Sequence, residues 1–342
     1  MQRKIIKISA FICVGMFLYF VIRANPRELL LILGRLSLLG IACLLSLRIL
    51  FWMLRTLCWR IVLRQCSASR ISFFTLLWAE LAGHAVGHFT PSAKLGGDVM
   101  RAMMVGPVPK NQSLASVVLD KSIELMATVL MMSLGLFIAL ARIRMAAMQR
   151  ILFLSLTAAA VVLIFLFFRR QKKGLFIWIL EILKKLRIKS KYLEAKRERL
   201  IETDVIIADF YSHHRRSFLS AFMLYILMIL LWAVEMHLTF LFIGMREITP
   251  MKSFLITTLG ILANIVPVIP AGIGIYEMTF MSVFAILRIP QKSGIAVILV
   301  RRLLNLLLAV SGLIPMLRMK SRPPVNEDAT VTPLSSPTVK IG

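Results

Sequence analysis

Apolar residues run in blocks of about twenty along this chain, and the polar residues collect between the blocks. About 20 apolar residues, rising 1.5 Å each in a helix, cross a hydrocarbon core of about 30 Å. The pattern therefore predicts membrane spans at about 5–22, 36–58, 113–140, 151–168, 218–243 and 293–317. Ile151–Phe168 and Ala221–Trp232 hold no charged residue at all. Two stretches depart from the pattern. In Ile71–Val105 the opening helix breaks at Thr90-Pro91, and Gly96 and Gly97 interrupt the remainder. Only about ten residues are then left, roughly 15 Å of helix, too short to recross the bilayer. In Thr249–Leu287 the sequence NIVPVIPAGIGIYE, with Pro270, Gly272 and Gly274, interrupts in the same way. Broken backbone at membrane depth survives only when buried in protein or lining a wet cavity. Both stretches are predicted as re-entrant hairpins. The fold class is all-α and polytopic, six full spans with two hairpins.

The two broken stretches repeat one another. Pro91 corresponds to Pro270 and Asp98 to Glu277 at one common offset. Pro109 corresponds to Pro290 and Asp120 to Arg301 at an offset only two positions longer. Three predicted spans lie between the units, so the second copy begins on the opposite side of the membrane. Inverted repeats with interrupted helices are a transporter architecture.

Composition sharpens this picture. The 342 residues are 59% hydrophobic and only 17% charged, which excludes a soluble enzyme and excludes disorder. The net charge of +26 is carried by residues flanking the apolar blocks rather than by a solvated basic domain. That is the positive-inside pattern, with attraction to anionic headgroups, and not a nucleic-acid footprint. It places both termini, the turn at 60–70 and the segment 169–217 in the cytoplasm of a multi-pass cell-membrane protein, whereas Arg142, Arg144 and Arg150 fall outside, against the rule. The segment 169–217 contains GLFIWILEILKKL and reads either as amphipathic helices on the inner leaflet or as a solvated hairpin. Residues 1–318 form one transmembrane domain. Residues 319–342, rich in Pro, Ser and Thr, read as a disordered tail, and no soluble catalytic domain is expected at either end. Cys13, Cys43, Cys58 and Cys66 lie in or beside apolar runs without CxxC spacing and make neither a zinc site nor a disulfide framework.

Pro91, Gly96-Gly97-Asp98, Arg101 and Val117-Val118-Leu119-Asp120 are followed in the second half by Pro270, Gly272-Ile273-Gly274, Glu277 and Arg301-Arg302. In these motifs the chain resembles the lysylphosphatidylglycerol synthase transmembrane family, flippase-like integral membrane proteins, over about residues 5–318. The resemblance implies movement of a lipid or lipid-linked headgroup between leaflets. Members fused to an aminoacyl-transferase domain also synthesise aminoacylated phosphatidylglycerol, an activity not carried over to this chain. The family's usual PGGxGGD stands here as PSAKLGGD, and Lys94 either tunes headgroup preference or is simply tolerated.

Ionisable residues inside the membrane are functional candidates. Those expected to serve a headgroup path are Lys94, Asp98, Arg101, Asp120, Glu124, Glu277, Arg301 and Arg302. The arginines suit phosphate, whose oxygens a planar guanidinium binds in pairs; the competing reading is that all these charges are structural ion pairs. Arg48 and Arg55, seven apart, share one helical face and should turn toward the bundle. Asp120 and Arg301 are expected to pair where the repeats meet. Glu80, His84 and His88 recur every four residues and read as packed histidines or a proton relay; without a third strong ligand, no metal is assigned. No cofactor is expected, and no Walker motif indicates ATP coupling. The leading function is a lipid translocase, not an enzyme, acting on an anionic phospholipid or a lipid-linked phosphate. The alternatives are a membrane-embedded lipid-phosphate enzyme and an accessory subunit of a lipid or glycan synthase. Protein partners consistent with this are a second copy or a separate synthase.

Overall fold

The computed structural model describes residues 34, 36–89, 95–143, 147–185, 197–261 and 275–318. Among them are eleven helices and no strand. The predicted span at 5–22, the tail 319–342, Pro91, Lys94, Pro270, Gly272 and Gly274 lie outside the described residues, as do the side chains of His88 and Glu277.

Five helices are long and apolar enough to cross a membrane. They are α1 (Leu38–Cys66), α4 (Lys110–Arg142), α5 (Ala147–Lys173), α8 (Arg215–Phe242) and α11 (Gln291–Arg318). Each covers nearly all of one predicted block and runs past at least one end of it. This is a multi-pass membrane protein. The remaining described helices are shorter: α2 (Phe73–Phe89), α3 (Leu95–Met104), α6 (Leu175–Lys185), α7 (Arg197–His213), α9 (Pro250–Gly260) and α10 (Ile275–Ile286). At 17 residues α2 reaches about 26 Å, less than a full crossing. Local chemistry sets several starts. Ser37 caps α1 by accepting from the Gly40 N–H at 3.1 Å. Thr249 caps α9, with Pro250 at its first turn.

The short helices nest among the spans. α2 packs along α3 on one side and makes the molecule's most extensive interhelix contact with α11 on the other. Small residues permit both contacts: a side chain on Gly97 would strike the Gly83 carbonyl and the Gly87 backbone, and one on Gly312 would strike the Leu81 carbonyl. The counterpart contact joins α4 to α9, where Gly135 sits against Thr258. Leu81 stands as far before Thr258 in the sequence as Gly135 stands before Gly312. Thus α4 lies on α9, and α11 on α2, each through a glycine.

Two of the apolar cores among the described residues tie the spans together. One joins α4, α8, α9, α10 and α11 through Leu136, Phe240, Leu259, Phe284 and Val297. The other joins α1, α4, α7 and α8 through Cys58, Leu119, Phe210 and Tyr225. α5 is peripheral and presents Leu163, Phe165 and Val162 outward, as lipid contact requires. α6 and α7 do not merely lie on a surface. α7 buries Ile207 and Phe210 against α4, and Tyr211 donates to the buried Gln171, which donates in turn to Ser122 of α4 at 2.6 Å. Gly174, at φ 98°, makes the left-handed turn from α5 to α6. The Asp204 carboxylate then accepts from the Phe176 and Ile177 N–H groups at the start of α6.

Candidate functional site

Two clusters of charge lie inside the membrane domain, and α1 carries an arginine into each. The face predicted for Arg48 and Arg55 does turn inward. Two turns of helix, about 10 Å, separate their positions, and each finds a different set of partners.

The first cluster gathers around Arg101, whose side chain is only 2% exposed. Its Nη2 lies 2.6 Å from Asp120 Oδ2 and in ionic contact at 2.5 Å with Glu80 Oε1, while Nη1 faces Asp98 at 3.3 Å. The guanidinium also lies over the ring of Trp59 at 4.4 Å, and Trp59 is fixed by its own bond to Ser116. The other oxygen of Asp120 accepts from the Tyr225 hydroxyl at 2.6 Å. Arg55 bridges Glu80 and Glu124, at 3.2 and 3.1 Å, and Lys121 adds a 3.0 Å contact to Glu124. Three cations thus meet four carboxylates, an excess of one negative charge when all are ionised. Burying such a network is costly unless every charge is paired and hydrogen-bonded, which this geometry achieves for Asp120. The least buried members are Lys121, Glu124 and Asp98.

The second cluster has the opposite balance. Arg48 donates to Glu235 through Nε and Nη2, at 3.0 and 2.6 Å, and to Asn305 through Nη1 at 2.7 Å. Arg301 is 1% exposed. Its guanidinium lies 4.8 Å from the Trp232 ring and 6.0 Å from that of Phe280, with Nη1 on the Met236 sulfur at 3.5 Å. Its Nε meets no hydrogen-bond acceptor, and among the described residues no carboxylate pairs with it. Arg302, half-buried, has interactions of its own.

The expected Asp120–Arg301 pair does not form. Both Asp120 oxygens are taken by Arg101 and Tyr225, and Arg301 packs against aromatic rings. The reason is visible in the contacts. In the sequence Arg101 precedes Phe280 by the offset that relates Pro91 to Pro270, and Asp120 precedes Arg301 by the offset that relates Pro109 to Pro290. Asp120 of α4 touches α3 through Arg101, and Arg301 of α11 touches α10 through Phe280. The first contact is an ion pair and the second a cation–ring contact. Asp120 and Glu124 stay close without repelling because Arg101 and Arg55 intervene.

Of the other predicted residues, Glu80 joins the first cluster, and His84, one turn on, stacks edge-on against Trp52 at 4.7 Å between ring centroids. Gly96 and Gly97 begin α3, and Gly97 serves the α2 contact. The sequence reading missed Trp59, Tyr225, Trp232 and Asn305. Tyr225 and Trp232 carried a usable signal: they stand seven apart, and so on one face, of the span that also carries Glu235. Neither Tyr nor Trp is buried deep in a membrane without a partner for its polar atom or ring.

Comparison with known proteins agrees with this architecture. The model of the lysylphosphatidylglycerol synthase TM region matches residues 5–312. A UPF0104 membrane protein of Pyrococcus horikoshii is 26% identical over 282 residues, covering 75% of this chain and 79% of that protein. No solved structure matches.

Proposed function

Because the chain belongs to the lysylphosphatidylglycerol synthase TM-region family, we propose that it moves a phospholipid or a polyprenyl-phosphate-linked lipid between leaflets, with no covalent step. The α2–α3 and α9–α10 segments are re-entrant hairpins of an inverted repeat, and the headgroup passes between the two halves while the acyl chains stay in the bilayer. The termini are cytoplasmic and the membrane is the cell membrane. One observation carries the reading: the second cluster keeps an arginine inside the protein with no carboxylate beside it among the described residues, although a lone buried cation is expensive. A protein that only needed rigidity would pair it, as Arg101 is paired. A headgroup path requires such a group, waiting for an anion that comes and goes. The packing of each span on the opposite half's short helix gives the two halves a shared hinge surface.

The test is reconstitution. Purified protein in liposomes carrying fluorescent lipid in one leaflet is expected to equalise the leaflets faster than empty liposomes, and Arg301→Ala to abolish that gain while the protein still inserts. Leaflet exchange equal to that of protein-free vesicles, across glycerophospholipid and polyprenyl-phosphate probes, would refute the proposal.

A further inference from the structure

α5 is the least buried of the five spans, and its seam with α4 does not close. Between them runs an open groove of about 300 Å³, lined by Met126, Leu130 and Ser133 of α4 and by Val161, Phe165 and Phe168 of α5. Ser133 is its one polar lining residue. Leu130, Val161 and Phe165 are exposed, so the groove opens outward to lipid. Each wall advances seven residues, about 10 Å. That is roughly two-thirds of the hydrocarbon depth of one leaflet, whereas a partner helix crossing the bilayer would lie along a seam of about 30 Å. The length suits an acyl chain. α4 ends at Arg142 and α5 begins at Ala147, so Ser133 and Val161 lie toward that turn, and Met126 and Phe168 away from it.

The end away from the turn is basic. Phe168 is followed by Arg169, Arg170, Gln171, Lys172 and Lys173, and the stretch from Arg169 to Lys185 carries only one carboxylate, Glu181. Arg169 and Arg170 are exposed, and among the described residues no carboxylate pairs with either. Asp204, at the same corner, is taken by the Phe176 and Ile177 N–H groups. The Arg170 guanidinium lies 5.1 Å from the ring of Trp178, a residue type that favours the membrane interface.

We propose that this groove and these two arginines form a site for a resident anionic phospholipid, with one acyl chain in the groove and the headgroup on Arg169 and Arg170. Inside a bilayer a chain gains nothing by exchanging one apolar surface for another. Shape therefore holds the chain, and charge selects the lipid. A basic residue near the membrane surface favours an anionic lipid roughly fivefold. Phe168, at the basic end of the groove, also meets Tyr211 of α7 edge-on at 4.8 Å. A chain lying on Phe168 thus steadies the wall to which α7 is fastened. This lipid sits on the outward side of the α4–α5 seam and is not the cargo of the proposed carrier, so the assignment stands without that reading.

Photolabelling of the full chain, one copy per nanodisc of phosphatidylcholine, tests this. The discs carry a trace of phosphatidylglycerol or of phosphatidylcholine with a diazirine midway along one acyl chain. The phosphatidylglycerol probe is expected to label residues 126–133 and 161–168 about fivefold more than the phosphatidylcholine probe does. Equal labelling by the two probes means ordinary annular lipid and overturns the proposal, as does label absent from both stretches. Arg169→Gln/Arg170→Gln should bring the two probes level; a preference that survives in this variant refutes the headgroup contact. Val161→Trp fills the groove and should remove the label from 126–133, and label that persists there refutes the chain position. Where Val161→Trp does not fold, Leu130→Trp on the opposite wall replaces it, read on residues 161–168. Competition needs no variant. Unlabelled phosphatidylglycerol should suppress the label, and soluble glycerophosphoglycerol, the same headgroup without chains, should not. Equal suppression by the two makes this an ion site and overturns the lipid assignment. Leaflet transfer is scored separately: labelling as expected without transfer upholds the site and removes only the carrier reading.

Discussion

A guanidinium away from water needs either an anion or a ring face, and this protein uses both. Arg101 has three carboxylates and Trp59; Arg301 has Trp232 and Phe280. The two arginines should therefore respond differently to loss of a neighbour. Arg101→Gln leaves Asp120 without a cation and Glu80 with Arg55 alone, and is expected to cost about 3–5 kcal/mol. In a double-mutant cycle, Arg101 with Asp120 should show strong non-additivity, and Asp120 with Arg301 should be additive within about 0.5 kcal/mol. Thermal unfolding in a single detergent measures both cycles; coupling between Asp120 and Arg301 instead would contradict the geometry. The inward face of Arg48 and Arg55 was legible from their spacing alone, since seven residues return to the same side of a helix. Their partners were not. Glu235 lies 187 positions from Arg48, and local pattern carries no information about a contact made only when the fourth described span arrives. The Asp120–Arg301 expectation failed for a related reason: Asp120 sits beside Arg101 of α3 and Arg301 beside Phe280 of α10, so each is held by a different short helix.

Among the elements, the spans were readable almost to their ends, because hydrophobic length is a one-dimensional property. The helices of the 169–217 segment were readable as amphipathic, but their docking was not, because it depends on one cap and one buried amide. Asp204 is buried, and burial pushes its carboxyl up against the opposing pull of the Ile177, Phe176 and Leu175 N–H groups. A carboxyl whose folded-state pKa is raised contributes most below its ordinary range and loses that contribution as pH climbs through the folded value. Mild acidification is expected to raise the protection of the amides at the start of α6, their exchange being taken relative to the intrinsic rate at the same pH. Asp204→Asn keeps an acceptor without a charge and should remove this pH dependence of protection, whereas Asp204→Ala should cost about 1 kcal/mol of α6 docking at every pH. Lower protection in acid would show that the cap outweighs the burial. Tyr211, whose hydroxyl burial also pushes upward, stays a donor throughout such a titration.

Taken whole, the molecule should sit in the membrane with its excess basic residues inside. In a protein freed of its native cysteines, a cysteine replacing Lys191 or Ser335 is expected to react with a membrane-impermeant maleimide only from the cytoplasmic side, and one replacing Met148 only from outside. Labelling of positions 191 and 148 from the same side would mean that α5 does not cross, and the inverted arrangement of the halves would fall with it.

The contact between α2 and α11 also has a meaning in time. Gly312 meets the Leu81 carbonyl only after about 230 further residues have left the ribosome, roughly 10–50 s at ordinary synthesis rates. Throughout that interval α2, with Glu80 on it, exists without its largest neighbour. A chain that stops before residue 291 therefore has α2 resting on α1 and α3, without the contact that α11 supplies.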